Sequence, residues 1–259
     1  MTPVVIFTFD NTFEGLLSCV FFAYEQKIQP DFIISDTKQK PLFFDYAYHI
    51  VTEEEKSNRV WAKLNNILSS FARRMLFNVW LSELPETEML LFRYISKNID
   101  ALSSIEMNFG DPDVIQVSKI AKKVGSEARK IVQFVRFQQT KDNIYFAPVS
   151  PKYNVISMAT NHFKKRFADQ EWIIFDTKRR YGLYYDLDKI SEITFDKRVL
   201  DAFSTGTLTD DKASESEMFF REMWKTYFEH LTIKERFNPK LQKQMMPVRF
   251  WKYITEMQY

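Results

Sequence analysis

Between Ile131 and Gln133 the spacing of apolar residues changes from three-or-four to two. Upstream, Val114, Val117, Ala121, Val124, Ala128 and Ile131 recur at helical steps behind an Asp111-Pro112 start. Downstream, "QFVRFQQ" and "IYFAPV" flank "TKDN", an alternation that predicts a hairpin with a four-residue loop. "WIIFD", "TKRR" and "YGLYYD" predict a second hairpin, and "SEITF" a further strand. Helical patterns lie on both sides of this region. The chain therefore reads as α+β: mainly helical, with a small central antiparallel sheet built from hairpins, and 1–259 as a single domain.

The flanking helices carry their own start signals. "VVIFTF" predicts a first strand, and Asn11 with Glu14 a capping box behind it. Thr52 with Glu55 opens the longest helical pattern, Val60 through Val79. Pro85 and Ser150-Pro151 mark two more starts. Ser214 with Glu217 caps the last long helix, after a loop expected over 203–213. Asn238-Pro239 predicts a short helix that Met246-Pro247 breaks.

Composition removes several chemistries. Five glycines, at positions 15, 110, 125, 182 and 206, permit neither GxGxxG nor a P-loop. Three histidines and the single Cys19 cannot build a zinc finger or a cysteine-ligated cluster, so no metal site and no cofactor are expected. No stretch reaches the roughly 18 apolar residues that span a bilayer. The expectation is a cytoplasmic protein with no membrane contact.

Net charge is only +2, yet it is segregated. Residues 116–141 hold seven Lys/Arg and one acid, and 234–252 hold six and one. Aromatics interleave with these cations in "FVRF", "FKKRF", "KRRYGLYY" and "RFWKY". Cations neutralise phosphates, and rings stack on unpaired bases. The candidate nucleic-acid contacts are Arg136, Arg166, Lys178, Arg179, Arg180, Arg236, Asn238 and Arg249, with Trp251 or Tyr253 as stacking rings. On an alternating strand Arg136 would share a face with Phe134. Asp176, which closes "WIIF" before "TKRR", and His162 are the candidate catalytic groups of a metal-independent nucleic-acid-processing enzyme. The other reading of Asp176 is that it orders its turn through the backbone.

At "FVRF", "HFKKRFADQEWIIFDTKRRYGLYYD" and "RFNPKLQKQMMPVRFWKYITEM" the sequence resembles a bacterial family described as probable DNA metabolism proteins, a domain of unknown function. Further similarity lies at "FDNTFEGLLSCVFFAYE" and "EEKSNRVWAKL". Relatives often carry a histidine ahead of "FVRF", where this chain has Arg129. The resemblance implies genes beside a radical-SAM protein similar to spore photoproduct lyase, and fusions to uracil-DNA-glycosylase-like domains. It thus implies a DNA-binding protein of repair or base modification, with DNA and a radical-SAM protein as partners. A protein adaptor without nucleic-acid binding is the remaining alternative.

Overall fold

The computed structural model describes residues 3–101, 104–195, 213–231 and 238–257. These fall into two compact units, 1–125 and 126–259. The first opens with β1 (Val5–Phe9), α1 (Phe13–Gln26), β2 (Phe32–Ser35) and β3 (Tyr46–His49). These strands form a parallel sheet in the order β2-β1-β3. Ile6, Phe7 and Phe9 are fully buried, because β1 is the central strand and both its faces are covered. β2 and β3 were not expected. They are four residues long, and β3 keeps an exposed Tyr46, so neither carries a clear alternation.

Helices α2 (Glu54–Ile67), α3 (Ser70–Trp80) and α4 (Thr87–Asp100) follow, and α5 (Pro112–Phe134) runs across the division between the units. The long pattern from Val60 to Val79 is two helices. Leu68 is extended, and Ser69 restarts the helix by accepting the N–H of Ala72 at 3.1 Å. Thr12, not Asn11, caps α1. Thr52 caps nothing, since its hydroxyl donates to Asp10 at 2.8 Å. Asp111 does cap α5, accepting the N–H groups of Asp113 and Val114.

The second unit holds a five-stranded sheet: β4 (Gln138–Gln139), β5 (Tyr145–Val149), β6 (Trp172–Asp176), β7 (Tyr181–Tyr185) and β8 (Ile190–Ile193), side by side in that order. The fold is α+β, as expected. Both hairpins exist, and β8 extends the second. Two details differ. β5 and β6 are parallel, joined across α6 (Ile156–Arg166), because a parallel pair needs a crossover. The first hairpin pairs only two residues of β4, because α5 continues to Phe134. Phe134 and Arg136 therefore share no strand face. The start signal at Ser150-Pro151 is followed by helix only from Ile156.

Beyond the sheet lie α7 (Glu215–Leu231), α8 (Pro239–Met245) and two short 3₁₀ segments, Val248–Tyr253 and Thr255–Met257. Ser214 Oγ accepts the N–H of Glu217 at 3.1 Å, so the expected cap forms, and Asn238 Oδ1 accepts that of Leu241 at 3.0 Å, capping the short helix expected from Pro239. Phe250, Tyr253 and Ile254 are buried, which seals the tail into this unit. Most of the loop expected over 203–213 lies outside the described residues, as does Arg236. Among the described residues no helix is long and apolar enough to cross a membrane.

Gly182 on β7 sits where no side chain fits. A Cβ there would lie 2.8 Å from a ring carbon of Phe175 and 3.0 Å from the Ile174 carbonyl oxygen. Gly182→Ala is expected to cost about 1–3 kcal/mol of stability through overpacking, measured by urea unfolding.

Candidate nucleic-acid interface

The basic side chains of the second unit are divided between the two ends of the β5–β6 pair. At the carboxyl end, Asp176 closes β6 and is fully buried. Its Oδ1 accepts the N–H groups of Lys178 at 2.9 Å and Arg179 at 3.1 Å, and its Oδ2 accepts Arg179 Nη1 at 2.8 Å. Burial pushes the Asp176 carboxyl above its ordinary range, and the Arg179 guanidinium and turn amides pull it part of the way back. With both oxygens accepting from fixed donors, Asp176 orders the turn through its backbone and its arginine.

The same end gathers Arg249. Its guanidinium binds both oxygens of the buried Glu127, whose Oε1 also accepts the Lys152 N–H at 2.8 Å. Arg179 in turn donates to the carbonyls of Pro151 and Lys152, each at 3.3 Å. Arg179 and Arg249 thus converge on one peptide, 151–152, each already paired with a carboxylate. Tyr253, expected to stack on a base, is buried instead, its hydroxyl 3.0 Å from Thr177 Oγ1. Trp251 is half-buried and donates its indole N–H to the Met246 carbonyl at 2.9 Å.

At the amino end, Arg136 occupies the link between α5 and β4. Its Nη2 donates to Glu256 Oε1 at 2.8 Å, and its Nη1 to the carbonyls of Gln133 and Val135. Glu256 Oε2 accepts the Trp224 indole N–H at 3.0 Å. Burial alone would raise the Glu256 carboxyl, but the hydrogen bond from Arg136, with further help from Trp224, holds it below its ordinary 4.5.

Arg136 also lines an open cleft of about 330 Å³. Val135 and Phe137 flank it in sequence. Tyr145 and Trp172, register partners at the first positions of β5 and β6, supply another wall. Phe167, at the end of α6, and Gln170 complete it. The rings brace each other: Phe137 lies 5.3 Å from Phe167 at 72° and 6.3 Å from Trp172 at 57°. The Arg166 guanidinium lies 5.8 Å from the Phe167 ring centre, so the basic last turn of α6 adjoins the cleft.

Lys165, Arg166, Lys178 and Arg180 are exposed and make no ion pair among the described residues. His162 is exposed on α6, its ring edge-on to Phe163 at 5.2 Å. Asn238 spends its side-chain oxygen on the α8 cap. The structure therefore brings Arg136 and Arg166 to the cleft and leaves Asp176, Arg179 and Arg249 at the opposite end of the strands. The sequence reading missed Glu127, Glu256, Tyr145, Phe167 and Gln170. For Glu127 a signal exists, since it is the single acid within the basic stretch 116–141.

The profile of one protein family, described as a domain of unknown function (DUF4130), matches residues 85–256. The chain belongs to this family. The match includes every cleft residue and the three buried carboxylates of the second unit, Glu127, Asp176 and Glu256. No curated protein and no solved structure matches the chain.

The two shifted carboxyls act in opposite directions on stability. Glu256, held low, contributes stability that is full above 4.5 and lost as the pH falls through its folded value. Asp176, held high, contributes what is full below 3.8 and lost as the pH rises through its folded value. Glu256→Gln should cost about 1.5–3 kcal/mol at neutral pH. The gap in melting temperature from the unsubstituted protein should close as the pH is lowered below 4.5, followed by circular dichroism.

Proposed function

We propose that the protein binds DNA in a repair or base-modification process and works beside a radical-SAM enzyme. The observation that carries the DNA reading is the aromatic cleft adjoining the basic last turn of α6. Lys165 and Arg166 are exposed cations next to rings, the combination that holds phosphate and base together. Lys178 and Arg180, exposed at the β6–β7 turn, add cations to the same unit. Arg136, Arg179 and Arg249 are neutralised internally, and Arg179 and Arg249 act in this reading as scaffolding for the surface.

The partnership rests on the family resemblance and on cysteine chemistry. Cys19 is the one cysteine of the sequence and is buried, so these residues do not supply the thiolates that hold an iron–sulfur cluster. A radical step would belong to that partner, and this chain would hold the DNA. Co-purification of the two proteins checks the partnership, and their failure to associate in the presence of DNA would remove it.

DNA binding is tested by fluorescence anisotropy across a salt series. Each phosphate-contacting cation contributes about 0.7 to the slope of log affinity on log salt for a single strand. Replacing Lys165 and Arg166 by Ala should lower the slope by about 0.7 per cation and leave the fold intact. Absence of affinity for both single- and double-stranded DNA at low salt would overturn the reading.

A further inference from the structure

We propose that the cleft beside Arg136 receives a single unstacked nucleobase, lifted out of its strand and held between aromatic rings. This rests on the DNA-binding reading above and names what the site takes. Three observations point to a base rather than to a phosphate, a sugar or a longer ligand.

The first is size. At about 330 Å³ the cleft lies at the small end of ligand pockets, which run from about 300 to 1,000 Å³. It admits one planar ring system. The second is the wall. Phe137, Tyr145 and Phe167 line the cavity and are partly exposed, and the fully buried Trp172 backs them. Phe137 is fixed edge-on against both Phe167 and Phe163, at 5.3 and 5.5 Å. The stacking surface is therefore already built, and a base entering it orders little.

The third is charge. Arg136 is the cation of the cleft, and Glu256 neutralises it from behind. A cleft with no net charge suits a neutral heterocycle and gives a phosphate dianion nothing to balance it. Arg136, Gln170 and Tyr145 are lining side chains with strong hydrogen-bonding groups, and the Gln170 amide both donates and accepts. They are placed to read the edge of a base whose faces the rings cover. The uncompensated cations, Lys165 and Arg166, stand outside on the last turn of α6, where the flanking phosphates would lie.

The test uses an oligonucleotide of abasic residues, alone and carrying one central 2-aminopurine or one central thymine. A single base should raise affinity about tenfold, within the range that base–aromatic stacking supplies. The 2-aminopurine emission should be quenched on binding. Phe167→Leu, which keeps apolar volume without the ring, should return both oligonucleotides to the abasic affinity. Gln170→Ala, at a partly exposed position, should reduce the gain from the base. Circular dichroism confirms that each variant is folded.

Equal binding of base-bearing and abasic oligonucleotides, without quenching, would overturn the proposal while DNA binding stands. It would leave the cleft to an aromatic side chain of a protein partner. A gain from the base that survives both substitutions would move the base elsewhere and also overturn it. Failure of every oligonucleotide, ordinary DNA included, would instead be failure of the DNA reading.

Discussion

Three carboxylates of the second unit are out of water, and each must have its own arginine. Glu127 takes Arg249, Asp176 takes Arg179 and Glu256 takes Arg136. An unpaired charge in such a place costs several kcal/mol, so each pair is held together by the penalty for breaking it. Two of the pairs join residues more than a hundred positions apart, with separations of 122 and 120. Both run from the start of the unit to its C-terminal segment. The burial of Phe250 and Ile254 supplies hydrophobic free energy for docking that segment, and the ion pairs fix its register. A methylene-rich tail docked by area alone could slide, whereas a guanidinium fitted to both oxygens of Glu127 cannot.

That constraint changes what a basic sequence means. Counted along the chain, 116–141 and 234–252 read as cationic surfaces. Folded, Arg249 from the second stretch is neutralised by Glu127, the lone acid of the first. Charge counting treats each arginine as facing water, and it has no means to see a partner 122 residues away. Further exposed cations come from α6 and the β6–β7 turn, where Lys165, Arg166, Lys178 and Arg180 stand outward beside those that 116–141 and 234–252 keep in water.

What the sequence made legible follows the same division between local and distant. Caps at Asp111, Ser214 and Asn238 are decided within three residues, and all three form. The β6–β7 hairpin is decided by its own turn, and it forms in full. The parallel pairings of β1 with β2 and β3, and of β5 with β6, depend on crossovers, and alternation within a strand does not state which neighbour it will have. Thr52 shows the limit of even local signals. Its spacing from Glu55 fits a cap, but Asp10 at the end of β1 competes for the hydroxyl and takes it. The cleft was half legible. Arg136 and Arg166 were picked out by their aromatic neighbours, while Tyr145 and Gln170 join them only because β5 and β6 run parallel and bring their first residues together.

The Arg136–Glu256 pair joins the two themes. Glu256 is needed because Arg136 is half-buried, and Arg136 is useful to the cleft because Glu256 is there. A free guanidinium at that wall would bind the nearest phosphate and hold the backbone where a ring belongs. In the proposed base-binding role the pairing leaves directed N–H groups and removes the net charge, which suits a reader of hydrogen-bond acceptors rather than a phosphate clamp. Glu256 also holds the Trp224 indole at 3.0 Å, so α7 and the last 3₁₀ segment share one carboxylate with the cleft. The position of Arg136 is therefore set by the packing of the C-terminal segment, and whatever loosens Glu256 acts on the cleft as well as on the fold.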